Sequence, residues 1–333
     1  MSERWGEALE QAGRLLHDAS RILIIAHIRP DGDAIGSLLG LGLVLEAAGK
    51  QTSLVLADGL PTNYKFLVGS EKIVTRPEGD YDLIVTVDCS DLKRVGQVLD
   101  GYPGPDLNFD HHITNENFAR LNLVDSGSVA TAELLAVILP QMGFALNQPA
   151  AAALLTGVVA DTLGFRTSNM NPRALRTAAD LLEFDIDLPE IFDKTLLLRS
   201  FEAIAYWAAG LGRIERKDGL VWTALTLQDR KAAKYPGRDD ADLINVLSSI
   251  TNIDIAVVFI EQGHGKVKVS WRARPGLDLT PVARSFGGGG HPAAAGAEVH
   301  GQLVEVQTRV LKATSVLLGI EEPAVRMAKT HNS

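Results

Sequence analysis

The chain has 333 residues, 46% apolar and 22% charged, which is globular composition and more than the ~100–200 residues of one ordinary domain. Its 32 basic and 41 acidic residues give a formal net charge of −9, which excludes a protein whose whole surface attracts nucleic acid. Residues 1–212 hold 16 basic against 28 acidic groups (net −12) and residues 213–333 hold 16 against 13 (net +3), an asymmetry that fits either two separate jobs or chance plus solvated helix faces.

In chain order, residues 1–16 are acidic and amphipathic, without a basic leader or a continuous apolar core, so no export signal is expected. Residues 21–27 (RILIIAH) predict a strand, followed by a Pro/Gly/Asp turn and an apolar helix near 34–48. Further strands are predicted at 51–56, at 81–88 (YDLIVTVD), which ends on a carboxylate, and at 106–110, before a polar loop. Helices are expected near 129–142, 149–160 and 172–183. Strands alternating with helices imply a parallel sheet with helices on both faces. The longest apolar stretch, residues 150–160, is broken by Thr156 and Gly157 and is far shorter than the ~20 residues that span a bilayer. A soluble, cytoplasmic protein with no membrane contact is therefore expected. The single cysteine, Cys89, excludes an intramolecular disulfide and, lying in an apolar run, reads as a buried inert thiol.

Beyond residue 187 the pattern changes. Residues 188–212 are helix-rich and read as a linker. Two hairpins follow, one turning at Lys217-Asp218-Gly219 and one at Gly263-His264-Gly265, and a helix near 302–318 closes the module. The predicted class is α/β: a parallel-sheet domain over 1–187, the linker, a smaller α/β domain over 213–320, and a tail at 321–333.

Carboxylates and histidines recur where these strands and helices end, and open parallel sheets bind ligands beyond the carboxyl ends of their strands. The first strand ends in His27, with Asp31-Gly32-Asp33 in the turn after it. The next apolar strand ends in Asp88, a third in Asp110-His111-His112, and a helix in Asp161. Any one of these aspartates more often caps a helix or closes a turn than binds metal. Four converging ends are different, because so many carboxylates cannot share a pocket without cations or raised pKa values. Two divalent ions would resolve the charge, and Asp/His ligation suits Mn²⁺ or Mg²⁺.

In order along the chain, the motifs are His27-Ile-Arg-Pro-Asp31-Gly-Asp33, Val87-Asp88, Asp110-His111-His112-Ile-Thr-Asn115, Asp161-Thr162 with Phe165-Arg166, Ser270-Trp-Arg272 and Gly287-Gly-Gly-Gly-His291. Over residues 20–300 the sequence resembles the DHH phosphoesterases, most closely the DHH–DHHA1 branch of nano-RNases and 3′-phosphoadenosine-5′-phosphate (pAp) phosphatases. The resemblance implies one metal on His27, Asp31 and Asp88 and a second on Asp33, Asp88, His111 and Asp161, with Asp88 bridging. It implies in-line attack of an activated water on phosphorus, with His112 beside the scissile phosphate. Asp110 is expected to orient a histidine or to make a simple turn contact. Arg272, His291, Ser270 and the amides of Gly288, Gly289 and Gly290 are expected to hold the far end of a short substrate, with Arg166, Ser168 and Asn169 as further lining.

The implied substrates are short RNA oligonucleotides, pAp or related nucleotides rather than long duplexes, and a homodimer is plausible by the same resemblance. The rival readings are a phosphodiesterase for cyclic dinucleotides or linear pNpN products and a non-catalytic nucleotide-binding module. A family II inorganic pyrophosphatase would share the front motifs and lack the GGGGH segment.

Overall fold

The computed structural model describes residues 2–321 and 323. Its first elements are α1 (Ser2–Asp18), β1 (Arg21–Ile25), α2 (Gly32–Ala47), β2 (Gln51–Val55), β3 (Leu83–Val87), β4 (Leu107–Asp110) and β5 (Leu121–Val124). Then come α3 (Thr131–Gln141), α4 (Gln148–Asp161), α5 (Pro172–Leu182) and α6 (Leu188–Phe192). The five strands form one all-parallel sheet in the order β2-β1-β3-β4-β5. Ile22 pairs with both Thr52 and Leu83, so β1 is an interior strand and the chain leaves it on one side before returning on the other. Such a reversal opens a crevice at the carboxyl ends of the two strands that flank it. His27 and Asp88 follow those two strands, β1 and β3.

Strand alternation divides the sheet into two faces. Ile22, Ile24, Val85, Val87 and Phe109 pack with α1 to α5 in one large core. Leu23, Ile25 and Ile84 pack on the other side against Cys89, Val95 and Val98, where, among the described residues, the helical cover in this cluster is a short 3₁₀ turn at Leu92–Val95. Cys89 is buried there, and burial pushes its thiol well above the usual range, as expected of an inert thiol.

α2 is buried on nearly every side because it runs between the sheet and α4. Glycine makes this possible. A Cβ on Gly36 would lie 2.4 Å from the Ala153 carbonyl oxygen, and one on Gly157 would lie 3.0 Å from Asp33 Oδ1. Asp31, Asn147 and Asn171 cap α2, α4 and α5 by accepting from backbone amides of the first turn, and Pro149 and Pro172 stand inside the last two helices' starts.

The described chain divides between Leu198 and Arg199 into two compact units. The second begins with α7 (Phe201–Leu211) and continues with β6 (Glu215–Lys217), β7 (Leu220–Leu225), α8 (Leu227–Ala233), α9 (Leu243–Ser248), β8 (Ile255–Gln262) and β9 (Lys266–Ala273). It ends with α10 (Thr280–Ser285), β10 (Gly289–His291), β11 (Ala294–His300) and α11 (Leu303–Leu318). These strands form a mixed sheet in the order β10-β11-β9-β8-β7-β6, with only β7 and β8 parallel. Both expected hairpins are present, and Asp218, Gly219, His264 and Gly265 take the positive φ that such turns require. Trp271, Phe259 and Val310 lie in the core on one face, and Tyr206 of α7 packs with Leu243 and Val258 on the other. Residues 322 and 324–333, most of the expected tail, lie outside the described residues.

Candidate functional site

At the carboxyl edge of the parallel sheet, two groups of ligand atoms gather, each within 4.8 Å of its neighbours: His27 with Asp31 and Asp88, and Asp33 with His111 and Asp161. His112 joins Asp88 and His111 in a third such group. Asp88 stands in the middle. Its Oδ2 lies 3.3 Å from His27 Nε2, and its Oδ1 lies 3.8 Å from His111 Nε2 and 3.6 Å from His112 Nδ1. His111 Nε2 also lies 3.8 Å from Asp33 and 3.7 Å from Asp161.

Local structure fixes each of these groups. The Nδ1 of His27 sits 2.8 Å from the Ile28 carbonyl oxygen and that of His111 3.3 Å from the Ser128 carbonyl oxygen. In the neutral rings, donation from Nδ1 leaves Nε2 as the lone-pair atom, the tautomer a metal needs. Asp31 spends Oδ1 on the amides of Asp33 and Ala34, so Oδ2 remains for the site. Asp33 accepts from the amides of Thr131 (2.6 Å) and Ala132 (2.9 Å) at the start of α3. Asp88 is held at φ 56° and accepts from Thr131 Oγ1 at 3.0 Å. Such left-handed backbone is uncommon outside glycine and is tolerated better by Asp and Asn than by most side chains. Asp161 ends α4, and the glycine-mediated approach of α4 to α2 brings it to the same edge as Asp33.

His27, Asp33 and Asp88 are each 2% exposed or less, whereas the side chains of Asp161 and Asp31 are 33% and 61% exposed, so the cluster opens on their side. Among the described residues, no Lys or Arg forms an ion pair with Asp31, Asp33, Asp88 or Asp161, whose charged partners here are histidines. The resulting charge conflict appears in the titrations. Burial, with the Asp88 charge, raises Asp33 well above the usual carboxylate range. Burial with Asp31 and Asp88 raises Asp161 to about 8. Burial would also raise Asp88, but the three surrounding imidazoles pull it below the usual range. For His27, burial disfavours the imidazolium, yet Asp31 and Asp88 outweigh it and raise the ring to about 10. Carboxylate oxygens and Nε2 atoms crowded without a fixed countercharge are a donor set that fits hard divalent cations.

Asp110 is fully buried. It sits 2.7 Å from His112 Nδ1, and Asn115 donates to its other oxygen at 2.5 Å. Thus Asp110 orients His112 and stays out of the three groups of prospective ligands. Burial disfavours the charged His112 ring, but Asp110 and Asp88 overcome this and raise it to about 9.

The second-unit residues come together differently. Register pairs His291 with Ala294 and Ala294 with Arg272, and pairs Gly289 with Gly296 and Gly296 with Ser270. Directly opposed residues share a face, and positions two apart on a strand share it too. Ser270, Arg272, Gly289 and His291 therefore lie on one face, the face that carries Val258 and the α9 core. Arg272 is half-buried, donates to the Trp271 carbonyl oxygen and, among the described residues, has no carboxylate within ion-pair distance.

The glycine run differs from the expected open cradle. Gly287 and Gly288 spend their amides on the carbonyls of Arg284 and Ala283. Gly289–His291 form a strand against β11, and a Cβ on Gly288 or Gly290 would lie 2.1 or 2.4 Å from a β11 carbonyl oxygen. These glycines are required for close strand packing, and the Gly288 amide is not available to an anion. Arg166, Ser168 and Asn169 are exposed in the turn after α4, beyond Leu163, Gly164 and Phe165, which all have positive φ.

Thr131 and Ser128 escaped the sequence reading. The signal was the Ser-Gly-Ser turn that precedes α3, a helix-start pattern; their long-range partners were invisible to it.

Residues 21–158 match the DHH family's N-terminal domain, and residues 232–315 match the DHHA1 domain. The class that this fold and site define is that of DHH phosphoesterases carrying a DHHA1 domain, and the chain belongs to that family. It is 34% identical over 303 residues, 88% of either sequence, to the bifunctional oligoribonuclease and PAP phosphatase of Thermus thermophilus. The protein of the same description from Bacillus subtilis is 23% identical over 84% of this chain and 89% of its own. In fold, the chain is similar to an exopolyphosphatase-related protein of Bacteroides fragilis, with a TM-score of 0.85 and 24% identity over 94% of this chain and 96% of that one.

Proposed function

We propose that this chain is a two-metal phosphohydrolase that degrades very short oligoribonucleotides to mononucleotides and removes the 3′-phosphate of pAp. The observation that carries the reading is Asp88 standing between two groups of prospective ligands, in a chain 34% identical to the Thermus thermophilus oligoribonuclease and PAP phosphatase. His27, Asp31 and Asp88 would hold one ion, and Asp33, Asp88, His111 and Asp161 the other; Mn²⁺ or Mg²⁺ suits the set. Divalent ions bound there supply Lewis acidity to phosphoryl oxygens and lower the pKa of a nearby water.

The chain's own groups do the remaining work. Asp110 keeps Nδ1 of His112 engaged and favours the protonated ring, which makes Nε2 the atom that gives a proton to the leaving oxygen. Asn115 holds Asp110 in turn, so the acid is oriented through two successive contacts. Thr131 and the first amides of α3 fix the Asp88 and Asp33 carboxylates and reduce the reorganisation that ion binding requires. In the second unit, Arg272 without a carboxylate partner, beside Ser270 and His291, is a site for a substrate phosphate. The single test is incubation of the purified protein and Mn²⁺ with pApA, a short RNA ladder, pAp and cyclic di-AMP. Release of mononucleotides from pApA and of AMP from pAp is the expected result. Turnover of cyclic di-AMP alone would overturn it.

A further inference from the structure

Arg173 lies on α5, outside every metal-site motif. Its guanidinium reaches three partners: Nε donates to Glu133 Oε1 at 2.7 Å, Nη1 to Asp125 Oδ2 at 2.9 Å and Nη2 to Ser128 Oγ at 2.8 Å. Glu133 is fully buried, and Asp125 and Ser128 are nearly so. Glu133 Oε2 also accepts the Val129 amide at 2.6 Å, and Asp125 accepts from Ser128 Oγ and the Gly127 amide. A half-buried fork with buried partners therefore ties both ends of the loop 125–130 and the first turn of α3 to α5.

That loop and turn are the parts that touch the candidate metal centre. The Ser128 carbonyl oxygen sits opposite His111 Nδ1, the Thr131 and Ala132 amides hold both oxygens of Asp33, and Thr131 Oγ1 holds Oδ1 of Asp88. Every one of these contacts reaches the Asp33–His111–Asp161 group or the Asp88 oxygen that faces it. His27 takes its fixing contact from the Ile28 carbonyl, and Asp31 from the start of α2.

We infer that Arg173 is a positioning residue for one of the two ion sites only, the Asp33–His111–Asp161 site, acting through the 125–130 loop and the start of α3. The inference rests on the two-metal reading above. Groups that orient a ligand from outside the coordination sphere typically change metal affinity by about 10–100-fold. A residue that merely supported the fold would lower thermal stability and weaken both sites together.

The test is titration of the ion-free protein with Mn²⁺, read by calorimetry and by the electron-paramagnetic signal of free Mn²⁺, for wild type, Arg173→Gln and Arg173→Lys. Wild type should take up two ions. Arg173→Gln should weaken one event about 10–100-fold and leave the other unchanged. Lysine keeps a cation between the two carboxylates and so protects folding, but it cannot span three partners. Arg173→Lys should therefore show the same one-sided loss at smaller size. Two unchanged events, or two events weakened equally in Arg173→Lys, would overturn the inference. Failure of wild type to bind Mn²⁺ would instead overturn the two-metal reading, and with it this one.

Discussion

The two units solve the same problem, gathering polar groups in one place, by opposite means. In the first unit, strands run parallel, so every β-to-α turn lies at one edge, and three prospective ligands come from strand ends there: His27 after β1, Asp88 after β3, His111 after β4. In the second unit, neighbouring strands mostly run antiparallel, and the corresponding groups lie across a sheet face in rows set by register: His291–Ala294–Arg272 and Gly289–Gly296–Ser270. Edge sites inherit their geometry from topology, whereas face sites inherit it from pairing. A single-residue slip would turn every side chain of a face site away.

Four experiments sharpen or break this contrast. Asp88→Ala removes the residue common to both first-unit groups, and turnover should fall below detection with both Mn²⁺ uptake events lost; retention of either event would break the bridging assignment. His112→Asn should lower kcat about 10²–10⁴-fold, the usual worth of a general acid, with Mn²⁺ uptake intact. Arg272→Ala should raise KM about 10–100-fold while kcat and metal content hold, because hydrogen bonds to charged groups contribute about 1.5–3 kcal/mol.

The smallest effect concerns pH. Without ions, His27 raised to about 10 and Asp161 raised to about 8 both carry protons at neutral pH, and metal must displace them. Mn²⁺ affinity should therefore rise with pH below about 8, by roughly tenfold per pH unit for each proton released. Calorimetry in buffers of different ionisation enthalpy counts those protons, and proton-independent binding would break the assignment.

Much of the first unit was legible because apolar runs that end on Asp or His are local patterns. β1, β3 and β4, and the helices α2 to α5, follow from them. β5 was not, since Leu121–Val124 is short, carries Asn122 and has only Leu123 fully buried. The approach of α2 to α4 through Gly36 and Gly157 was equally hidden, because a helix glycine read alone signals only lost stability. In the second unit both hairpins were readable from their turn residues. β10 was not, since Gly289–His291 has no strand former, and its pairing with β11 arises from steric clearance. The Arg173 fork joins residues 40 to 48 positions apart, a range no local pattern reports.

The backbone at Asp88 has a consequence for how this position can vary. At φ 56° with its amide donated to the Phe109 carbonyl, the main chain there screens side chains before any chemistry is considered. Asp and Asn pass that screen at little cost, and β-branched residues do not. Drift at this position therefore has a near neighbour that keeps the shape and discards the charge: asparagine would preserve the fold while removing the shared carboxylate. The same feature that holds Asp88 between the two ligand groups leaves, on the proposed two-metal reading, a short mutational path from an active hydrolase to an intact but silent one.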